Sequence, residues 1–189
     1  MLTSMKRIFA VMAILNSLAL LTSFGLGLVF MLERNAGATA PGAGQPLLGS
    51  FAWHMVVGLA SAVFTLMLHC LIFTYFLGTG RWVKEVAAVY QLPDHQFPKQ
   101  TREFKRVVFP PALFAMLGAI AAVATGAGAQ TASESFWGLA HPIMAIVVLA
   151  LNAWAYWVEY RIVSANARVI DQVMVEVERK QANTAHPVA

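Results

Sequence analysis

The chain has 189 residues, 59% of them hydrophobic and only 12% charged, against roughly 45–50% and 25% in an average soluble domain. No water-soluble core of this size hides so much apolar surface, so a lipid bilayer is the expected solvent. The formal charge of +4 excludes little by itself, but its placement argues against nucleic acid: twelve of the thirteen Lys and Arg fall at Lys6–Arg7, between Arg81 and Arg106, and from Arg161 onward. Those clusters alternate with charge-poor loops, as the positive-inside rule requires of a multi-pass protein.

The first apolar run, residues 8–32, follows Lys6 and Arg7. It far exceeds the apolar core of about 7–15 residues in a signal peptide, so it is read as a retained transmembrane helix. The uncharged Gly-, Ala- and Pro-rich stretch from Asn35 to Ser50 is an outer loop. A second span covers residues 51–77 and is expected to stop at Gly78-Thr79-Gly80, because glycine past a helix end adopts the left-handed conformation cheaply. The Gly-Thr-Gly has neither Walker spacing nor a preceding strand, so it is not a phosphate loop.

Residues 78–106 form the one long loop, placed on the cytoplasmic side. Trp82, Val83, Val86, Val89 and Tyr90 recur at helical spacing and predict a short interfacial helix, with Arg81, Lys84 and Glu85 on its other faces. Pro93 and Pro98 break it, and Lys99, Arg102, Lys105 and Arg106 lead into a third span over residues 107–127, with Pro110 and Pro111 in its first turn. After a short outer loop bearing Glu134, a fourth span covers residues 136–160. All four runs are long enough to cross about 30 Å of hydrocarbon.

Beyond Arg161 the helical pattern continues as a cytoplasmic extension and tail, residues 162–189. Val163, Ile170 and Val177 are spaced by seven, Val169, Val173 and Met174 support them, and Glu176 can pair with Lys180. This apolar stripe must be covered, either by the 81–106 loop or by another chain. The expected fold is therefore an all-α membrane protein. Four transmembrane helices form an up-down-up-down bundle within residues 1–161, in the cytoplasmic membrane, with both termini cytoplasmic.

Polar residues inside the spans carry the functional information, because lipid penalises them. On the second helix His54, Gly58, Ser61, Thr65 and His69 form one stripe; on the fourth, His141, Val148, Asn152 and Glu159 share a face; the first contributes Asn16, Ser23 and Gly27. His54 and His141 fall near the outer surface, while Asn16, His69 and Asn152 form an inner polar layer. His54 and His69 are fifteen residues apart, roughly 22 Å along a helix.

Two histidines facing each other across a bundle can ligate a haem iron. In this layout the chain resembles the b-type membrane cytochromes, which hold haems between histidines at comparable spacing on their second and fourth helices. The resemblance covers two helices and implies His54 and His141 as axial ligands of one haem b. His69 has no histidine opposite it, only Asn152 and Tyr156, so a second bis-histidine haem is not expected. A fourth helix beginning at Pro142 would instead leave His141 as an interfacial cap.

No H-E-x-x-H, G-x-S-x-G or paired carboxylates mark a catalytic centre. Lone Cys70 forms no internal disulfide, no metal site is expected, and His95 and His186 are read as solvated. The leading expectation is a non-enzymatic membrane subunit without a cofactor, acting through a protein partner or self-association at the basic loop and C-terminal helix. The haem b electron-transfer protein is the alternative. A small transporter or quinone-site protein, using His69 and Glu159, is the third.

Overall fold

A computed structural model describes the backbone of residues 2–39, 48–93, 96–131 and 135–185, and the side chains of 5–35, 49–93, 96–131 and 136–183. His95 and His186 lie outside the described residues. The described chain is all helical: α1 spans Leu2–Thr39, α2 Leu48–Val89, α3 Phe97–Thr131 and α4 Ser135–Ala185. Each helix is long and apolar enough to cross a membrane, and together they make the architecture of a multi-pass integral membrane protein. The helices pack in a ring in chain order, with α2 and α4 touching only sparsely across its middle.

The bundle is ordered for lipid. Ile8, Val11, Leu15 and Leu18 of α1, Val56, Leu59 and Val63 of α2, and Ile143 and Ile146 of α4 are exposed. Asn16, Ser61, Thr65, His69, Asn152, Glu159 and Asn166 are buried. Hydrocarbon outside and hydrogen-bonding groups inside is the arrangement a bilayer selects, since only the bundle interior can satisfy polar side chains there.

Two helix boundaries differ from the sequence reading, and a third falls where the span from residue 136 put it. First, α2 does not stop at Gly78-Thr79-Gly80 but continues to Val89, so Trp82–Val89 is the end of a 42-residue helix rather than a separate interfacial one. The terminator lies further on. Gln91 takes a left-handed φ of 51°, and Leu92 N–H donates to the Ala87 carbonyl at 2.8 Å. That bond defines a Schellman cap, closed here by a non-glycine residue and followed by Pro93. Gly80 instead sits within the helix, where a Cβ would lie 3.2 Å from the mobile end of Lys105 on α3.

Second, α3 begins at Phe97, so Pro98 occupies its first turn while Pro110 and Pro111 fall well inside the helix. They remove the backbone bonds that the Arg106 and Val107 carbonyls would accept. Third, α4 starts at Ser135 and runs through Pro142 without a break. His141 is therefore a helix residue, not a cap.

The basic ends of α2, α3 and α4 reach well past the polar layers and form their own core. Val83, Ala87, Leu92 and Phe97 bury Val169, Ile170, Val173 and Val177. The apolar stripe of α4 is thus covered by the 81–106 segment of its own chain. Two contacts close the far end: Lys180 Nζ donates to the Gln91 carbonyl at 3.2 Å and Gln181 Nε2 to the Tyr90 hydroxyl at 2.8 Å.

Two outcomes follow for this end. Gln91→Gly relieves a left-handed side-chain-bearing residue and raises stability by about 1 kcal/mol, read as a higher denaturation midpoint in detergent. Val173→Ala, at a fully buried position, lowers it by about 2 kcal/mol, while Val175→Ala, at an exposed one, leaves it unchanged.

Candidate functional site

The stripes read from the sequence do face one another, and they meet in layers along the α2–α4 seam. His54 lies against His141, His69 against Asn152 and Glu159, and Tyr75 and Thr79 against Asn166. Partners rise together along both chains, so the same helical repeat returns a polar pair to the interior every few turns.

In the outer layer the His54 and His141 rings are 5.9 Å apart between centroids and inclined by 72°. Each ring is anchored the same way. His54 Nδ1 lies 3.0 Å from the Ser23 carbonyl of α1, and His141 Nδ1 lies 3.1 Å from the Ala122 carbonyl of α3. A carbonyl only accepts, so both Nδ1 atoms carry a proton, and in the neutral rings the lone pairs are on Nε2. One turn further along each supporting helix stands a glycine. A Cβ on Gly27 would fall 2.9 Å from His54 Cε1, and one on Gly126 would fall 2.9 Å from His141 Cε1.

The α1–α2 and α3–α4 pairs are thus built alike: carbonyl, glycine, histidine. Unequal connections hide this correspondence from any fixed sequence period. Thr125, 3.4 Å from His141 Nδ1, and Gly126 had no signal of their own in the sequence. Gly126 becomes legible only once His141 is placed opposite it.

The inner layer is closed where the outer is open. Asn16 Nδ2 donates to Thr65 Oγ1 at 2.7 Å and to the Tyr156 hydroxyl at 2.5 Å. The Tyr156 ring stacks on His69 at 5.3 Å and 20°, so it links the Asn16 cluster to the His69 cluster. His69 Nδ1 contacts Glu159 Oε1 at 2.6 Å and its Nε2 contacts Asn152 Oδ1 at 3.2 Å. Both ring nitrogens are taken, and His69, Glu159 and Thr65 have no exposed surface. Tyr156 stands fifteen residues after His141, as His69 does after His54. The inner layer therefore pairs a histidine with a tyrosine where the outer pairs two histidines. The sequence reading put Glu159 on the polar face of the fourth helix; the structure makes it the direct partner of His69.

Chemically, the two layers differ in what they can bind. In the outer pair each neutral imidazole is anchored through Nδ1 and has its lone pair on Nε2. The inner layer offers no imidazole nitrogen, because both nitrogens of His69 are engaged. Among the described residues no cluster of three or more His, Cys, Asp or Glu is placed to hold a metal ion, and Cys70 is exposed on the bundle surface. Comparison with protein-family models, with curated proteins and with solved structures finds no match.

The inner pair has a measurable signature. His69→Leu leaves the Glu159 carboxylate buried without its partner and lowers stability by about 3–5 kcal/mol. The double change His69→Leu with Glu159→Leu recovers a large part of that loss, read by unfolding of all three variants in the same detergent.

Proposed function

We propose that the chain is an electron-transfer protein that holds one haem b between His54 and His141. The observation that carries this reading is the outer pair itself. The two rings face each other across the bundle with their centres 5.9 Å apart, so His54 and His141 are the residues that would hold the iron of a haem bound between α2 and α4. A ligating imidazole also needs its other nitrogen tied to an acceptor, which fixes the tautomer and raises ligand basicity. Ser23 and Ala122 supply that acceptor on the two sides, and Gly27 and Gly126 leave room for the rings.

A bound haem supplies reversible one-electron chemistry at its iron. The protein's part is to hold both imidazoles and to set their tautomers. The inner layer takes no haem in this reading, since Glu159 and Asn152 occupy both nitrogens of His69. The distribution of Lys and Arg supports a cytoplasmic-membrane location with an up-down-up-down path, the basic end and both termini being cytoplasmic.

A second reading has its own support. Val89, Met174 and Val175 are exposed at the basic end, beyond the segments assigned to the membrane, and suit a membrane subunit whose protein partner docks there. Visible spectroscopy on protein purified in mild detergent from haem-replete cells separates the two. The haem reading expects a Soret band and sharp reduced bands at near one haem per chain. They are lost in His54→Ala and in His141→Ala and retained in His95→Ala and His69→Gln. Gly126→Val, which drives a side chain into the His141 ring, weakens haem retention. A flat spectrum of the folded wild-type protein overturns this reading and leaves the docking one.

A further inference from the structure

The inner layer holds two ionisable side chains with no exposed surface, His69 and Glu159, at 2.6 Å. Their surroundings limit where protons can sit. Asn152 Nδ2 donates to the Val148 carbonyl at 2.9 Å, which turns Asn152 Oδ1 toward His69 Nε2. That oxygen only accepts, so Nε2 must carry a proton. The proton between Nδ1 and Oε1 can reside on either atom, and the pair is neutral both ways. It is therefore stable in hydrocarbon with that proton and becomes an anion without it.

Glu159 Oε2 is buried and has no hydrogen-bond partner; the same is true of Asn16 Oδ1 on α1, and of Ser164 Oγ and Asn166 Oδ1 further along α4. Asn166 Nδ2 donates to the Tyr75 hydroxyl and to Thr79 Oγ1, both at 3.1 Å. Buried polar groups thus continue from Glu159 toward the basic end along the α2–α4 seam. Few other charges bear on the pair. Tyr156 stacks on His69, Tyr75 lies in the next layer, α1 contributes neutral Asn16, and the buried face of α3 at this end is Val108, Ala112 and Ala115.

We propose that His69 and Glu159 form a proton-binding site in the inner half of the bundle, loaded at Glu159 Oε2 and exchanging with the basic end past Asn166. On uptake, Glu159 Oε2 takes a proton from the basic end, so the neutral pair becomes a cation: a carboxyl beside an imidazolium whose two N–H groups still face Glu159 Oε1 and Asn152 Oδ1. No haem is required for this, so the site stands or falls independently of the outer pair.

Infrared difference spectroscopy of the full chain in lipid nanodiscs, stepped in pH, tests it. The expected result is a protonated-carboxyl band that grows on acidification and moves in D₂O. It disappears in Glu159→Gln and shifts in His69→Gln, and its deuterium exchange slows several-fold in Asn166→Leu. If Glu159→Gln does not fold, ¹³C-labelled glutamate in the unchanged chain assigns the band to a glutamate. A band absent at every pH at which the protein stays folded, or one that neither titrates nor exchanges, overturns the site. Exchange unaltered in Asn166→Leu overturns the route.

Discussion

Hydrocarbon offers nothing to a hydrogen-bonding side chain, so each polar group carried into the membrane must be answered from within the bundle. The rest of this structure depends on that constraint. It turns Asn16, Thr65, His69, Asn152 and Glu159 inward, and it gives each of them a partner on another helix or on its own backbone. In a bilayer apolar packing alone discriminates weakly between rotations of a helix, because lipid tails are as apolar as leucine. The polar seam supplies the discrimination, fixing which faces of α2 and α4 look at each other.

Within that seam, the two layers engage their histidines in different ways. In the outer layer the backbone of α1 and α3 takes one nitrogen of each histidine and leaves the other unengaged. In the inner layer side chains of α4 take both nitrogens of His69. Whether an imidazole is a ligand or a structural member is decided by its second nitrogen, not by burial. The half-buried pair is the one equipped to bind; the fully buried histidine is the one already satisfied.

Much of this was legible from residue spacing. Apolar runs of membrane length located the four spans, and small or polar residues three and four apart marked the inward faces of α1, α2 and α4. The seven-residue spacing of Val163, Ile170 and Val177 announced a stripe in need of cover. Helix ends were less legible, because glycine is permissive rather than obligatory. Gly78 and Gly80 stay helical when neighbouring helices hold them, and Gln91 can be forced left-handed when Leu92 and Pro93 follow. The partners of a buried group were least legible of all. Which carbonyl receives His141, and that Glu159 meets His69, depend on relations between helices that no single stripe contains.

The parallel march of α2 and α4 has a consequence for how this chain can change. α2 runs unbroken from the His54 level to Val89, and α4 from His141 past Gln181, so every layer between shares one angular phase. One residue inserted or deleted anywhere along that stretch rotates all that follows by about 100°. It would strip partners from layers far from the site of change. Side chains can be exchanged here one at a time, but helix length can change only in steps that restore the phase, as a ruler can be re-marked but not cut.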